Sequence, residues 1–203
     1  MHEGQLFVVS GPAGVGKGTI CRMVIEERIG VNLSISMTTR PIRKGDVAGE
    51  SYYFVSKEEF EEKIKAGGFL EYAQVYGNYY GTPKQKVLDT LEKGVDVILE
   101  IDVQGAAQVK KQYPEGAFIF ILPPSMKELR KRLEGRGSET EEGINVRMGN
   151  AISEIACIGD YDYYIVNAAR AQSLARIKEI IMAERSRVTQ RTVGFIQKYK
   201  EEI

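Results

Sequence analysis

Cysteine and histidine are almost missing from this chain of 203 residues: Cys21 and Cys157 stand far apart, and the one histidine is His2 at the start. That scarcity excludes a disulfide framework and a zinc site of Cys/His spacing, and leaves both thiols expected as buried small hydrophobes. Charge of one sign is missing too. Lys plus Arg and Asp plus Glu number 28 each, so no overall field draws the chain to nucleic acid or an anionic membrane, and any bound anion must be held by a local cluster. No apolar run approaches the roughly 20 residues of a membrane span, and the start lacks the basic region and apolar segment of a secretory leader. The expectation is a protein of the reducing cytoplasm with neither membrane nor nucleic-acid partner. Repeats and low-complexity linkers are absent. With 43% hydrophobic residues, what remains is one domain, or one core domain with insertions, able to bury a sizeable core.

What is present is concentrated near the start. The strand-like run Leu6-Phe7-Val8-Val9-Ser10 leads into Gly11-Pro12-Ala13-Gly14-Val15-Gly16-Lys17-Gly18-Thr19, and an amphipathic helical stretch opens at Ile20. A plain glycine turn with a solvated lysine is the structural alternative. The strand before and the helix after favour a phosphate loop, in which backbone N–H groups and a helix N-terminus converge on an anion and Lys17 adds a mobile positive charge. The strict pattern asks for Ser or Thr directly after the lysine. Gly18 stands there and Thr19 follows one residue late, so Mg²⁺ is expected at Thr19 or through water.

The first helix should end near Gly30, and Leu33-Ser34-Ile35-Ser36-Met37 alternates like a short strand. From Gly45 to Gly81 the pattern turns aromatic and strand-rich around one helix that Ser56-x-x-Glu59 caps and Gly67-Gly68 ends. This section reads as a small, mostly β insertion. A helix over 83–93 and a strand over 95–101 return to an α/β core, presenting Glu100 and Asp102 at the strand end, where ligands of parallel sheets sit. Asp102 suits the cap of the following helix equally well. Ala117–Leu122 reads as a buried parallel strand. Ser125-x-x-Glu128 caps the next helix, Gly135-Arg136-Gly137 reads as the start of a mobile lid before a helix with Arg147, and Tyr163–Asn167 is the last strand. Arg40 and Arg43, with Tyr52 and Tyr80, are either a surface charge pair or a second phosphate site. An enzyme holding two phosphates in line is a phosphoryl transferase.

At this point the chain resembles the guanylate kinases. The resemblance rests on Ser34-x-Ser36-x-Thr38-Thr39-Arg40-x-x-Arg43-x-Gly45-Asp46, Gly49-x-x-Tyr52-x-Phe54, Glu71-Tyr72-Ala73, Gly77-Asn78-Tyr79-Tyr80-Gly81-Thr82, Glu100-Ile101-Asp102-Val103-Gln104-Gly105 and the Arg132, Arg136, Arg147 series. It implies an α/β fold: a P-loop NTPase core of parallel sheet flanked by helices (1–33, 83–134 and 158–203), a GMP-binding insertion (34–82) and a helical lid (135–157). It implies ATP with Mg²⁺ bound at residues 11–19, Arg132, Arg136 and Asn167. The acceptor is GMP, with dGMP beside it; its phosphate would meet Arg40, Arg43, Tyr52 and Tyr80, its guanine Ser36, Glu71 and Thr82, with Glu100 and Asp102 also on the substrate side. Lys17, Arg40, Arg43, Arg136 and Arg147 would carry the transfer. The alternatives are a non-catalytic phosphopeptide-binding module of similar fold and a kinase for another nucleoside monophosphate. Ala13, Gly18, Asp46 and Ala168 stand where the family more often has Ser, Ser, Glu and Asp.

The chemistry of guanine agrees with the resemblance. Its N1–H and N2–H₂ form an adjacent donor pair that one carboxylate accepts and adenine lacks, so discrimination of roughly 10⁴ is within reach of a buried Glu71. No general base is needed, because the second pKa of a phosphate monoester is about 6.

Overall fold

The apolar run at the start forms β1 (Leu6–Ser10), buried along its whole length. The structure is a computed structural model that describes residues 4–43, 45–75, 77–135, 140–188, 196 and 199–203. After the glycine-rich loop comes α1 (Lys17–Glu26), which starts three residues before the expected Ile20 because the loop itself winds into the first turn. Then follow β2 (Val31–Leu33) and β3 (Met37–Thr38). The expected single strand over 33–37 is thus two. Leu33 ends a strand of one sheet, Met37 begins a strand of another, and the alternating pattern continues through the crossing at Ser34–Ser36.

The insertion continues with β4 (Tyr53–Phe54), α2 (Lys57–Lys65), β5 (Phe69–Val75) and β6 (Asn78–Pro83). Ser56 caps α2 by accepting from the Glu59 N–H at 3.1 Å. The core resumes with α3 (Lys84–Glu92), β7 (Asp96–Glu100), α4 (Val103–Gln112), β8 (Ala117–Leu122) and α5 (Met126–Glu134). It closes with α6 (Glu141–Ile155), a 3₁₀ turn over Ala156–Asp160, β9 (Tyr163–Val166) and α7 (Arg170–Arg185). Of the lid arginines, Arg136 lies outside the described residues.

Strand order is β2-β7-β1-β8-β9, every pair parallel. Side chains of alternate β1 residues fill opposite faces. Phe7 and Val9 pack with Ile20, Ile119, Leu129, Ile177 and Ile181 on one side, while Leu6 and Val8 pack with Val87, Leu91, Val109 and Phe118 on the other. Helices cover both faces, which is why the strands read as unbroken apolar runs. The second sheet, β4-β3-β6-β5, is antiparallel except for β3 and β4. Its own small core is Met37, Phe60 and Phe69, with Phe60 stacked between Phe69 at 4.3 Å and Tyr79 at 5.1 Å.

Of the two cysteines only Cys21 is buried; Cys157 is half-exposed, because the turn after α6 brings it to the surface. No helix among the described residues is long and apolar enough to cross a membrane.

Candidate active site

The loop after β1 is shaped by backbone that only glycine tolerates. Gly11 has φ +141°, and a Cβ there would lie 2.3 Å from the Ile121 carbonyl oxygen; Gly16 has φ +103°, and a Cβ there would lie 2.6 Å from Asn167 Nδ2. Gly16 caps α1 without a side-chain bond, so the first N–H groups of the helix face the concavity and an anion would complete them. Lys17 Nζ donates to the Gly11 and Pro12 carbonyls at 2.6 and 3.2 Å. Burial pushes its pKa down, with Glu100, Glu154 and Asp102 opposing that shift.

Asn167 supports this loop from the end of β9. Its Nδ2 donates to the Val15 carbonyl at 2.8 Å, and its Oδ1 accepts from Ser173 Oγ at 2.9 Å. Arg132 reaches the same place, donating to the Val15 and Asn167 carbonyls at 3.3 and 2.9 Å while Glu128 steadies its Nε at 3.1 Å. Two residues that the resemblance implies on the ATP side therefore also hold the loop in shape.

The lid helix contributes a residue that the sequence analysis missed. The Glu154 carboxylate accepts the Ala13 N–H and faces Lys17 and Arg147; burial raises its pKa and Lys17 opposes the rise. The available signal was spacing, since Arg147 and Glu154 are seven apart on α6 and so share one helix face.

At the end of β7, Asp102 caps α4, its Oδ1 accepting from the Gly105 N–H at 2.7 Å. The capping reading is realised, and the same carboxylate still acts electrostatically on both Lys17 and Glu71. Glu100 is exposed at the tip of an otherwise buried strand and acts on both Lys17 and Tyr52. The two acids thus stand between the phosphate loop and the insertion.

On the insertion side, Glu71 is 7% exposed on β5 and accepts from Thr82 Oγ1 on β6 at 2.5 Å. Burial pushes its pKa up, and the Thr82 bond opposes that rise. Glu71 is set against α4, where a Cβ on Gly105 would lie 3.1 Å from Oε2. Two further residues unnoticed in the sequence hold β5 there. Gln108 exchanges two 3.1 Å bonds with the Tyr72 backbone, and Gln112 Nε2 donates to the Phe69 and Leu70 carbonyls at 3.2 and 2.9 Å.

Arg40 is buried, and its guanidinium lies 5.3 Å from the Tyr52 ring centroid and 5.6 Å from that of Phe54. Asp46 accepts from Arg40 at 2.9 Å and from the Arg43 N–H at 2.7 Å, and the Arg40 bond holds the Asp46 carboxyl below its usual range. Tyr52 and Tyr80 meet edge to face at 5.9 Å. Arg40, Tyr52 and Tyr80 are therefore one cluster; Arg43 joins it through its backbone and keeps an exposed side chain. Ser36 and Thr19 are half-exposed at the sheet crossing and in the first turn of α1.

Comparisons with known proteins point the same way. A family model described as guanylate kinase matches residues 3–184. The guanylate kinase of Clostridioides difficile is 52% identical over 203 residues, covering 100% of this chain and 99% of that one. That of Clostridium tetani is 55% identical over 188 residues, covering 93% and 90%. Among solved structures, guanylate kinase from Anaplasma phagocytophilum superposes with a TM-score of 0.73 at 36% identity, covering 92% of this chain and 89% of that one. The fold is that of a P-loop NTPase, and the chain belongs to the guanylate kinase family.

Proposed function

We propose that the cleft between the phosphate loop and the insertion is where this guanylate kinase passes the γ-phosphoryl group of ATP to GMP, giving ADP and GDP. Residues 11–19 cradle the donor phosphates, with Arg132 and Asn167 on the donor side. Arg40, Arg43, Tyr52 and Tyr80 take the acceptor phosphate. Glu71 accepts guanine N1–H and N2–H₂, Thr82 orients that carboxylate, and Ser36 adds a hydroxyl near O6. Lys17, Arg147 and Arg136 neutralise charge during transfer. GMP needs no base to activate it, because its phosphate is largely dianionic near neutral pH, and the work left to the protein is alignment, charge stabilisation and exclusion of water.

The donor set suits Mg²⁺, since the carboxylates and hydroxyl nearest the loop, Glu100, Asp102 and Thr19, are hard oxygen ligands. Among the described residues no three His, Cys, Asp or Glu side chains gather to hold a metal, so the ion would arrive on the triphosphate and be shared with these residues. When bound it offsets charge on the β and γ phosphates. Neither cysteine is paired, and we assign the enzyme to the reducing cytoplasm, with small-molecule partners.

The observation that carries this reading is the buried Glu71–Thr82 pair, a carboxylate withdrawn from water and within the field of a second acid, Asp102. A coupled diphosphate-production assay with ATP and a panel of nucleoside monophosphates tests it. GMP should be turned over with kcat/KM at least about 10³ above AMP, and equal turnover of the two would overturn the assignment.

A further inference from the structure

The peptide unit that joins Pro12 to Ala13 is gripped at both ends by opposite charges. Its carbonyl accepts from Lys17 Nζ at 3.2 Å and from the Val15 N–H, also at 3.2 Å. Its N–H, which is that of Ala13, donates to the Glu154 carboxylate. A trans peptide is planar, with C=O and N–H pointing opposite ways, so a cation on one side and an anion on the other fix its plane. An N–H polarised by a carboxylate also makes the carbonyl of the same peptide a better acceptor, so each grip strengthens the other.

The two charges come from different parts of the fold. Lys17 opens α1 at the end of the loop, whereas Glu154 stands near the end of α6. Ile144 and Ala151 bury α6 in the main core beside Leu129 and Leu133, which makes the helix a rigid support for a side chain that must be placed accurately. Asn167 and Arg132 brace the loop at another point, the Val15 carbonyl. A tilt of the Pro12–Ala13 peptide would carry the Pro12 carbonyl away from Lys17 and loosen the concavity into which the first N–H groups of α1 point.

We propose that Glu154 is a positioning residue for the donor site: from α6 it fixes the Pro12–Ala13 peptide, and through that peptide the Lys17 ammonium, in the shape that receives the triphosphate. The inference rests on the phosphate-loop reading above. It adds that position 154 needs an acceptor for the Ala13 N–H rather than a negative charge, and that Glu154 acts through the loop rather than on the nucleotide.

The probe is a non-hydrolysable ATP analogue with an imido bridge between its β and γ phosphates, titrated into the full chain by calorimetry. Glu154→Ala should weaken its binding by at least about tenfold, as loss of one hydrogen bond to a charged group does, with GMP affinity within about threefold. Glu154→Gln keeps a carbonyl acceptor and should bind the analogue within about threefold of wild type. In a Lys17→Ala background, Glu154→Ala should weaken binding less than about threefold further, because the two residues act through one peptide. Amide exchange followed by NMR reads the bond directly. The Ala13 amide of the unvaried chain should exchange at least about tenfold more slowly than in an unstructured peptide, and its proton signal should move upfield in Glu154→Ala. An unprotected Ala13 amide overturns the proposal without any variant. So do a glutamine variant as weak as the alanine one, full additivity with Lys17→Ala, and equal weakening of the analogue and GMP. Wild-type protein that fails to bind the ATP analogue overturns the phosphate-loop reading itself, a distinct result.

Discussion

Replacing Glu71 by Gln is the most searching single perturbation, because it changes charge and donor pattern while nearly preserving shape. The carboxylate has two oxygens and Thr82 Oγ1 donates to one of them at 2.5 Å. Guanine would bring two more donors, each a charge-assisted bond of roughly 1.5–3 kcal/mol. Glutamine keeps one acceptor, already engaged by Thr82, and turns an NH₂ towards a base edge that itself donates. A loss of about 3–4 kcal/mol follows, and at about 1.4 kcal/mol per decade kcat/KM for GMP should fall roughly 10²–10³-fold. The KM for ATP should stay within about threefold, since the phosphate loop makes no bond to Glu71. Burial already disfavours the Glu71 anion, so the neutral amide should leave the melting temperature unchanged or higher. Steady-state kinetics with each substrate varied in turn, together with a thermal melt, read all three quantities. An unchanged KM for GMP, or equal rises for GMP and ATP, would refute the base-reading role.

The same burial sets a pH dependence. Because the folded pKa of Glu71 lies above its unfolded value, its stabilising effect is full below the unfolded pKa and lost as pH rises through the folded one, whereas the proposed pairing with guanine needs the anion. Log KM for GMP should therefore climb on acidification from neutral pH, starting above the ordinary carboxylate range. Glu71→Gln should show only the residual slope from the GMP phosphate, and identical profiles would count against the assignment. Lys17→Ala should lower kcat by about 10²–10³-fold, as loss of one transition-state charge partner does, with GMP affinity by calorimetry within about threefold; near-normal kcat would discredit the loop assignment. Asn167→Ala removes the bonds to Val15 and Ser173 and should cost about 1–3 kcal/mol of stability by denaturant melts. It should raise KM for ATP more than for GMP, and equal changes would mean that Asn167 braces the whole fold rather than the loop.

Local signals carried the core. Val8 and Val9 read as a buried strand because helices cover both sheet faces, and Ser56 and Ser125 announced helices whose caps form as written. The candidate site was legible where its chemistry is packed into a short stretch, as in the glycine-rich residues 11–19. It was illegible where a role depends on elements meeting in space. Ser34–Ser36 alternates like one strand, yet the chain leaves one sheet there and enters another. Gln108 and Gln112 look like ordinary surface of α4 until the exposed edge of β5 is seen to need partners for its backbone groups. Spacing puts Glu154 on the same face of α6 as Arg147, but its bond to the Ala13 N–H shows only when α6 is laid beside the loop.

A chain with no net charge that handles two polyanions must keep its cations close together without letting them repel. Here four of them work beside an acid: Arg40 with Asp46 and Arg132 with Glu128 in direct contact, Lys17 and Arg147 within the field of Glu154. Pairing fixes the guanidinium planes before any ligand arrives, so less side-chain entropy remains to be lost on binding. It also holds each cation beside an acid that a phosphate must outcompete. Phosphate can do so in this cleft because it brings more charge and more acceptor oxygens than a carboxylate, and because the start of α1 offers it N–H groups that no N-cap side chain takes. In the proposed site, selectivity for the base has to come from elsewhere. Among the described residues Glu71 has no basic partner; its hydrogen bond comes from the neutral Thr82 and burial is the largest influence on its pKa. An acid left in that condition gains most from a ligand edge made only of donors, and among the common nucleobases guanine supplies it with two adjacent N–H groups.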